Sequence, residues 1–571
     1  SNKKYRSFGA FSPVTTSFTR EVMKMKKFLC IMLSVMLVLS IVTGCSSSKD
    51  KDKDNTSAAV EKEDTKQGEI FNKTGYPIVN KPVEVTMMHS KGSHQGPWEE
   101  MHYFKAMEKA TNIKIKFLSI ESSGYEEKKN LAFASGDIPD VVWGLTSKEE
   151  VKYGVEGKTL IPLQNYINNY APNYAKMIKE SPDVKAVATS MDGNMYSFPV
   201  LANTLTMATN YLYIRTDWLD KVGKKIPETV DEYIDVCAAI KAWNNSKIPV
   251  SCAKESFSNL VRAFLPAFGY LVDDRYGLDE TDKVVYTPIT EQYKLVLMFL
   301  NKLYANKYLD NECFTQEDAN VGAKMKENIS MMSDWGSVMK PENFENGVIQ
   351  MAMLAPLTSE YYDKKHVRGF DTIFSSQIAL TKNLKYPEAM ARWIDINYSD
   401  EDVAPGIVKG LNRISIWLGI EGQDWQYTDN EKTTYARIVP PDIKASEIEY
   451  AEKYVSPGWG PCKLVMLAMP EKEKNPGQYM KASQSKANYF PYMEPGFKNN
   501  YLKYTPEEQE RLKILENDID SYTKQMEAKF VTGQEKIENW DKYVQKLKEM
   551  GVDELIKIKQ DAYGRYKLLV K

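Results

Sequence analysis

Cys45 is the residue whose surroundings most directly dictate a chemistry. A basic cluster, Met23-Lys24-Met25-Lys26-Lys27, precedes an apolar run from Phe28 to Val42, and Thr43-Gly44-Cys45 follows. The run has 15 residues, short of the roughly 20 that cross a hydrocarbon core as a helix. Residues 23–44 are therefore expected to be a removable signal peptide. Ile41-Val42-Thr43-Gly44-Cys45 resembles a bacterial lipobox, in which small residues admit the backbone to a peptidase and the thiol takes a diacylglyceryl thioether. Cys45 is the expected lipidated N-terminus, anchoring the chain to the outer face of the cell membrane. Residues 1–22 read as a vector remnant or a mis-assigned start and are left out of fold reasoning. Residues 45–76, opening Ser46-Ser47-Ser48-Lys49-Asp50-Lys51-Asp52, hold too few apolar groups to offset chain entropy and are expected to be a solvated tether.

Other constellations carry less. His89, His94 and His102 fall close together with Glu99 and Glu100, but HExxH spacing is absent; a polar ligand-contacting loop is the expectation, with no metal. Gly154-Val155-Glu156-Gly157-Lys158-Thr159 ends like a phosphate loop without its first glycine, and Gly458-Trp459-Gly460 is followed by Lys463 where a dinucleotide loop needs glycine. There is no GxSxG elbow. A two-carboxylate glycosidase stays open, because such pairs meet only in the fold. The net charge of −2 and the lack of a basic run argue against nucleic acid. Cys237, Cys252, Cys313 and Cys462 are scattered without CxxC spacing and read as buried thiols, one disulfide being the alternative.

The elements that must position such groups interleave. Val83–Met88 and Ile113–Leu118 alternate like strands, Trp98–Ala110 has helical spacing between them, and a helix over Tyr125–Ala134 leads to the apolar strand Asp140-Val141-Val142-Trp143. Leu212–Arg215 reads as another strand, and Thr229 with Glu232 has capping-box spacing for a helix running to about Ala242. Helices are expected from Thr505-Pro506-Glu507-Glu508, from Asn539-Trp540-Asp541 and from Val552-Asp553-Glu554. This pattern predicts an α/β protein with a mostly parallel sheet.

Several segments resemble extracellular solute-binding lipoproteins of carbohydrate ABC importers, the large group that includes alginate-binding proteins. They are Leu131–Asp140, Met191–Pro199, Ile214–Gly223, Gly419-Ile420-Glu421-Gly422 and the tail from Trp540 to Tyr566, in order over nearly all of residues 83–571. The resemblance implies a periplasmic-binding-protein-like type II fold: two α/β lobes, a hinge and a helical C-terminal region. By that analogy residues 77–205 and 370–410 form the first lobe, and 206–369 and 411–571 the second. Pro199–Leu205 and Val367–Thr372 would be the crossovers. It also implies a monomeric binding protein without catalysis or cofactor, which captures a carbohydrate, expected to be an oligosaccharide, for permease subunits in the membrane. A secreted carbohydrate-active enzyme and a sensor or a metal- or peptide-binding lipoprotein are the rival readings. Where many relatives carry a calcium loop, this chain has Ala242-Trp243-Asn244-Asn245-Ser246-Lys247-Ile248-Pro249, which lacks carboxylates, so no calcium is expected there. The acidic run around Asp273-Asp274, Asp279-Glu280 and Asp282 reads as a solvated loop.

Ligands of open α/β sheets gather beyond the carboxyl ends of strands. Trp143 ends such a strand, and the resemblance places ligand-facing aromatics there and at Trp335, each set against a core tryptophan as the alternative. Asp334 is a candidate acceptor for sugar hydroxyls, Arg215 and Arg413 are candidate forked donors, and His89 a polar contact; a structural ion pair is the competing role for the charged three. Trp417, Glu421, Trp425 and Tyr427 gather aromatic and acidic groups around a glycine turn and complete the candidates. Trp218 reads as packing.

Overall fold

In the computed structural model, residues 70–205, 212–330 and 351–570 are described; Cys45, Asp334 and Trp335, with the expected signal peptide, lie outside them. Strands β1 (Val83–Lys91) and β2 (Ile113–Glu121) pair in parallel from Val83 opposite Ile113 to Lys91 opposite Glu121. In β2, Ile113 and Ile115 are buried while Lys114 and Lys116 face solvent, the period of two that fixes which face meets a helix. The helix between them, His102–Thr111, buries Tyr103, Phe104, Met107 and Ala110, a single helical stripe. Asn112 ends it at φ 59°, its N–H donating to Glu108 O. Trp98–Glu100 is a separate 3-10 turn, so the helix starts later than its apolar spacing suggests.

β3 (Val141–Trp143) lies on the other side of β1, buried throughout. β4 (Ser197–Thr204) and β5 (Ile373–Leu380) come from much later in the chain, and β5 runs antiparallel between β3 and β4 with a register shift between Phe374 and Ile378. β6 (Lys463–Met466) adds in parallel to the free edge of β4. The order is β6-β4-β5-β3-β1-β2.

This sheet and its helices enclose one hydrophobic core, and that core also takes in Leu411, Ile414, Ile416, Leu418, Trp425, Leu464 and Met466. Sequence reasoning assigned 411–571 to the second lobe. Pairing of β6 on β4 draws the preceding segment onto the first core instead, and only the chain beyond it returns.

A second core gathers Ile214, Trp218, Tyr233, Phe264, Val296, Leu300, Phe530, Leu547 and Leu555. Its helix Val230–Trp243 starts where expected, Thr229 Oγ1 accepting the N–H of Glu232 at 3.1 Å. Thr505 and Glu508 close a reciprocal capping box on Pro506–Thr532, at 3.2 and 2.9 Å. Helices Trp540–Glu549 and Val552–Leu569 complete the C-terminal region. Among the described residues no helix is long and apolar enough to cross a membrane.

Polar groups pin the joints. Tyr501 Oη accepts the N–H groups of Thr372 (3.1 Å) and Ile373 (3.0 Å) at the start of β5. Arg368 pairs with Asp371 at 2.9 Å and with Asp273 at 3.0 Å. Asp273 is therefore buried in an ion pair rather than solvated as its acidic neighbourhood suggested. In the loop after Trp243, Lys241 Nζ donates to the carbonyls of Asn245 and Lys247, both at 2.8 Å. Cys237, Cys252, Cys313 and Cys462 are buried free thiols.

Two substitutions test this packing. Gly419 sits at φ 86°, and a Cβ there would fall 2.3 Å from Val455 Cγ1 and 2.4 Å from Asp424 Oδ2. Gly419→Ala is expected to cost about 1–3 kcal/mol from backbone strain alone, read as a lowered midpoint in urea unfolding. In the second core Arg275 is buried, holding Glu527 and, through Nε at 2.8 Å, Asp520. Arg275→Met strands the Glu527 carboxylate and is expected to cost about 3–5 kcal/mol, most of it recovered in Arg275→Met with Glu527→Leu; equal losses in the two variants would contradict the ion-pair account.

Candidate functional site

A cavity of about 480 Å³ opens where loops from the carboxyl end of the six-stranded sheet meet the helix Pro476–Asn488. From the first body come His94 and Gln95, on the loop after β1; Trp417; Tyr435 and Arg437, on the strand Thr434–Arg437; and Glu452 and Ser456 to Trp459, ahead of β6. Asn475, Gln478 and Lys481 face them from the helix. That helix packs on the strand Met351–Met353, with Met480 against a small core of Tyr213, Met351, Met353 and Tyr489. The cavity thus lies between elements of different cores.

Glycines and main-chain bonds hold the walls. Gly96 donates its N–H to Glu452 O at 3.2 Å, and a Cβ at Gly96 would lie 2.1 Å from Lys453 O, so only glycine lets the two loops touch. Gln95 Nε2 donates to Pro457 O at 3.2 Å. Gly460 seats directly on the Trp143 indole, where a Cβ would fall 2.2 Å from Cζ2. This seat sets Trp459 on the cavity wall, partly exposed and edge-on to Phe374 at 5.2 Å. Trp417 meets Tyr435 at 6.1 Å, and Ser456 Oγ donates to Trp417 O at 3.0 Å.

Charge on the lining is unevenly placed. On the rim, His94 Nε2 stands 3.8 Å from Glu452 Oε1, and both side chains are exposed. Arg437 donates to the carbonyls of Trp417 (3.3 Å) and Leu418 (3.4 Å), and burial lowers its pKa. Lys481 is buried in the helix wall, and burial pushes its pKa down to about 7. Asn475 caps the helix, its side chain accepting the N–H of Gln478 at 3.2 Å.

Of the residues expected from sequence to contact a ligand, Trp417 lines this cavity. Trp143 lies under it, buried edge-on to Trp98 at 5.0 Å. His89 is also buried, stacked on Trp98 at 3.6 Å. Its Nδ1 is 3.1 Å from Ser90 O and its Nε2 2.7 Å from Ser119 Oγ, so Nδ1 carries the proton and Nε2 accepts; burial holds its pKa near 4 and the ring neutral. Arg215 is spent on Asp217, with Nε to Oδ1 at 2.7 Å, and lies over Trp218 at 5.2 Å. Arg413 binds Asp400 at 2.6 Å and the carbonyls of Lys463 (3.0 Å) and Val465 (2.9 Å), clamping β6. Trp425 is buried with Nε1 donating to Gly419 O at 3.2 Å, Tyr427 packs on it at 5.1 Å, and Glu421 wraps the Gly410 turn. His102 bonds Asp424 at 2.5 Å, so the three clustered histidines point to three different partners. Among the described residues no group of three or more His, Cys, Asp or Glu is placed to hold a metal.

Sequence reasoning passed over Trp459, Tyr435, Arg437, Gln478 and Lys481. Trp459 had a usable signal: a tryptophan between two glycines, just ahead of an alternating strand, has no apolar neighbour to bury it.

The sequence profile described as bacterial extracellular solute-binding protein matches residues 93–403, more than half of the chain. The fructooligosaccharide ABC transporter substrate-binding protein FusA of Streptococcus pneumoniae is 24% identical over 519 residues, covering 86% of this chain and 92% of that one. Its structure with kestose superposes at a TM-score of 0.66 and 22% identity, covering 85% of this chain and 100% of that one. An extracellular solute-binding protein of Bifidobacterium longum subsp. infantis gives a TM-score of 0.70 at 20% identity, covering 85% and 98%. The profile match over more than half of the chain shows that the chain belongs to the bacterial extracellular solute-binding protein family.

Proposed function

We propose that the chain captures an oligosaccharide in this cavity, leaves it chemically unaltered and passes it to an ABC importer. Lipid on Cys45 holds it at the outer face of the cell membrane, where permease subunits receive the loaded monomer. The observation that carries the reading is the composition of the cavity: two indole side chains, Trp417 and Trp459, among amide, hydroxyl and cationic donors from Gln95, Ser456, Gln478, Asn475, Arg437 and Lys481. Sugar rings offer polarised C–H faces to indoles and a rim of hydroxyls to such donors. The fructooligosaccharide named for one relative points the same way. Because the walls come from different cores, bridging by ligand favours the closed arrangement, with Pro199–Leu205 and Val367–Thr372 absorbing the rotation. Trp143 acts through Gly460, holding the loop that presents Trp459.

Calorimetric titration of the chain with a panel of oligosaccharides is expected to find a ligand with one-to-one stoichiometry, recovered intact by mass spectrometry. Trp459→Ala and Trp417→Ala are each expected to weaken that ligand at least tenfold, about 1.4 kcal/mol. Unchanged affinity in both variants would remove the cavity from the reading, and shortened glycans would replace binding with hydrolysis.

A further inference from the structure

We infer that Lys503 and Tyr566 are positioning residues: they tie the second core to the first at a joint that shares no side chain with the proposed glycan cavity, and so hold the cavity walls facing each other before any ligand arrives. The consequence for affinity rests on that cavity being the glycan site; the joint itself does not. Pro199–Leu205 and Val367–Thr372 are the crossovers expected from sequence, but the segment from Phe497 to Tyr504 also passes between the two cores. Phe497 and Leu502 pack in the second core, Tyr501 in the first, and Tyr504 against the second again. While Tyr501 holds the backbone of Thr372 and Ile373, Asn500 Nδ2 donates to Asp371 Oδ2 at 3.3 Å. This segment is a third link, laid against the second crossover.

Lys503 reaches from that link to the first sheet. It is buried, with Nζ 3.5 Å from Glu150 Oε2 and 3.3 Å from Ser147 Oγ. Glu150 is buried too, and its other oxygen accepts the hydroxyl of Ser197 at the start of β4. Arg565 on the C-terminal helix donates to Lys503 O at 3.1 Å while forked on Glu508 at 3.0 and 2.5 Å, which fixes the lysine's backbone to two helices of the second core. The next residue, Tyr566, packs against both cores, and its Oη donates at 3.1 Å to Asp183 Oδ1 on the helix Pro182–Ala188. Lys503 and Tyr566 both line a cavity of about 290 Å³, walled by Ala186 and Met191 on one side and Ala562 and Leu569 on the other. A joint with a void in it has few dispersion contacts to resist rotation, which leaves the angle to the two polar ties. The buried ion pair resists most, because separating it strands two desolvated charges.

The deciding measurement needs no ligand. Spin labels on p-acetylphenylalanine introduced at Lys116 in β2 and Lys542 in the helix Trp540–Glu549, both exposed, report the separation of the cores by pulsed electron resonance on the full chain. Lys503→Met and Tyr566→Phe are each expected to broaden the distance distribution, and Lys503→Arg to keep it narrow. Arg511→Met cuts the fork on Glu554, at 2.6 Å inside the second core, and is expected to change nothing. Calorimetry with kestose then reads the coupling. Lys503→Met is expected to weaken binding about fivefold, as a competent fraction reduced to about one fifth gives, and saturating kestose to return its distances to those of the unsubstituted chain. Circular dichroism confirms that every variant folds. Distances unaltered in both Lys503→Met and Tyr566→Phe would overturn the joint even if melting temperatures fall, and broadening with kestose affinity unchanged would overturn its link to binding. Absence of kestose binding to the unsubstituted chain would speak against the glycan reading and not the joint, which the ligand-free distances support or overturn alone.

Discussion

The molecule depends on the chain returning to its first sheet twice. β5 enters between β3 and β4 from a position far along the sequence, and β6 later closes on the outer edge of β4. The first return follows a passage through the second core, whereas the chain between β5 and β6 stays with the first, so the two bodies are joined through the ends of β4, β5 and β6. Those strand ends are where Tyr501 bonds the backbone of Thr372 and Ile373 and where Arg368 gathers Asp273 and Asp371.

β6 has a second consequence. Pairing it to β4 places the segment before it over the carboxyl end of the sheet, and the missing side chain at Gly460 lets that segment lie flush on Trp143. The buried stack of His89, Trp98 and Trp143 is thus the floor on which Trp459 is mounted. Neutral His89 belongs to that floor: with both ring nitrogens partnered and burial opposing its protonation, it packs as an aromatic ring. Aromatics under the site and aromatics in the site therefore serve different ends, although both follow strands.

What the sequence made legible follows from range. The cap at Thr505 and Glu508, the alternation of Ile113 to Lys116 and the apolar stretch ending at Trp143 are local signals, and each appears as an element with nearly the expected bounds. Membership of Leu411 to Met466 in the first core was not legible, because it is decided by strand pairing across more than two hundred residues. Arg215 and Arg413 have the chemistry of ligand contacts, and their residue types cannot distinguish a sugar from Asp217 or Asp400. Arg437 and Lys481 attract no notice in sequence, since one sits in a short strand and the other in a polar helix, and only the fold sets them across one cavity.

The proposed glycan site is the cavity between the loop after β1 and the helix Pro476–Asn488. A crystal structure of the chain soaked with the tightest oligosaccharide tests it directly. A sugar ring is expected against Trp459 or Trp417, with hydrogen bonds reaching both Gln95 on the loop after β1 and the helix Pro476–Asn488. A glycan bound elsewhere, with these side chains unaltered and the cavity filled only by water, would contradict it.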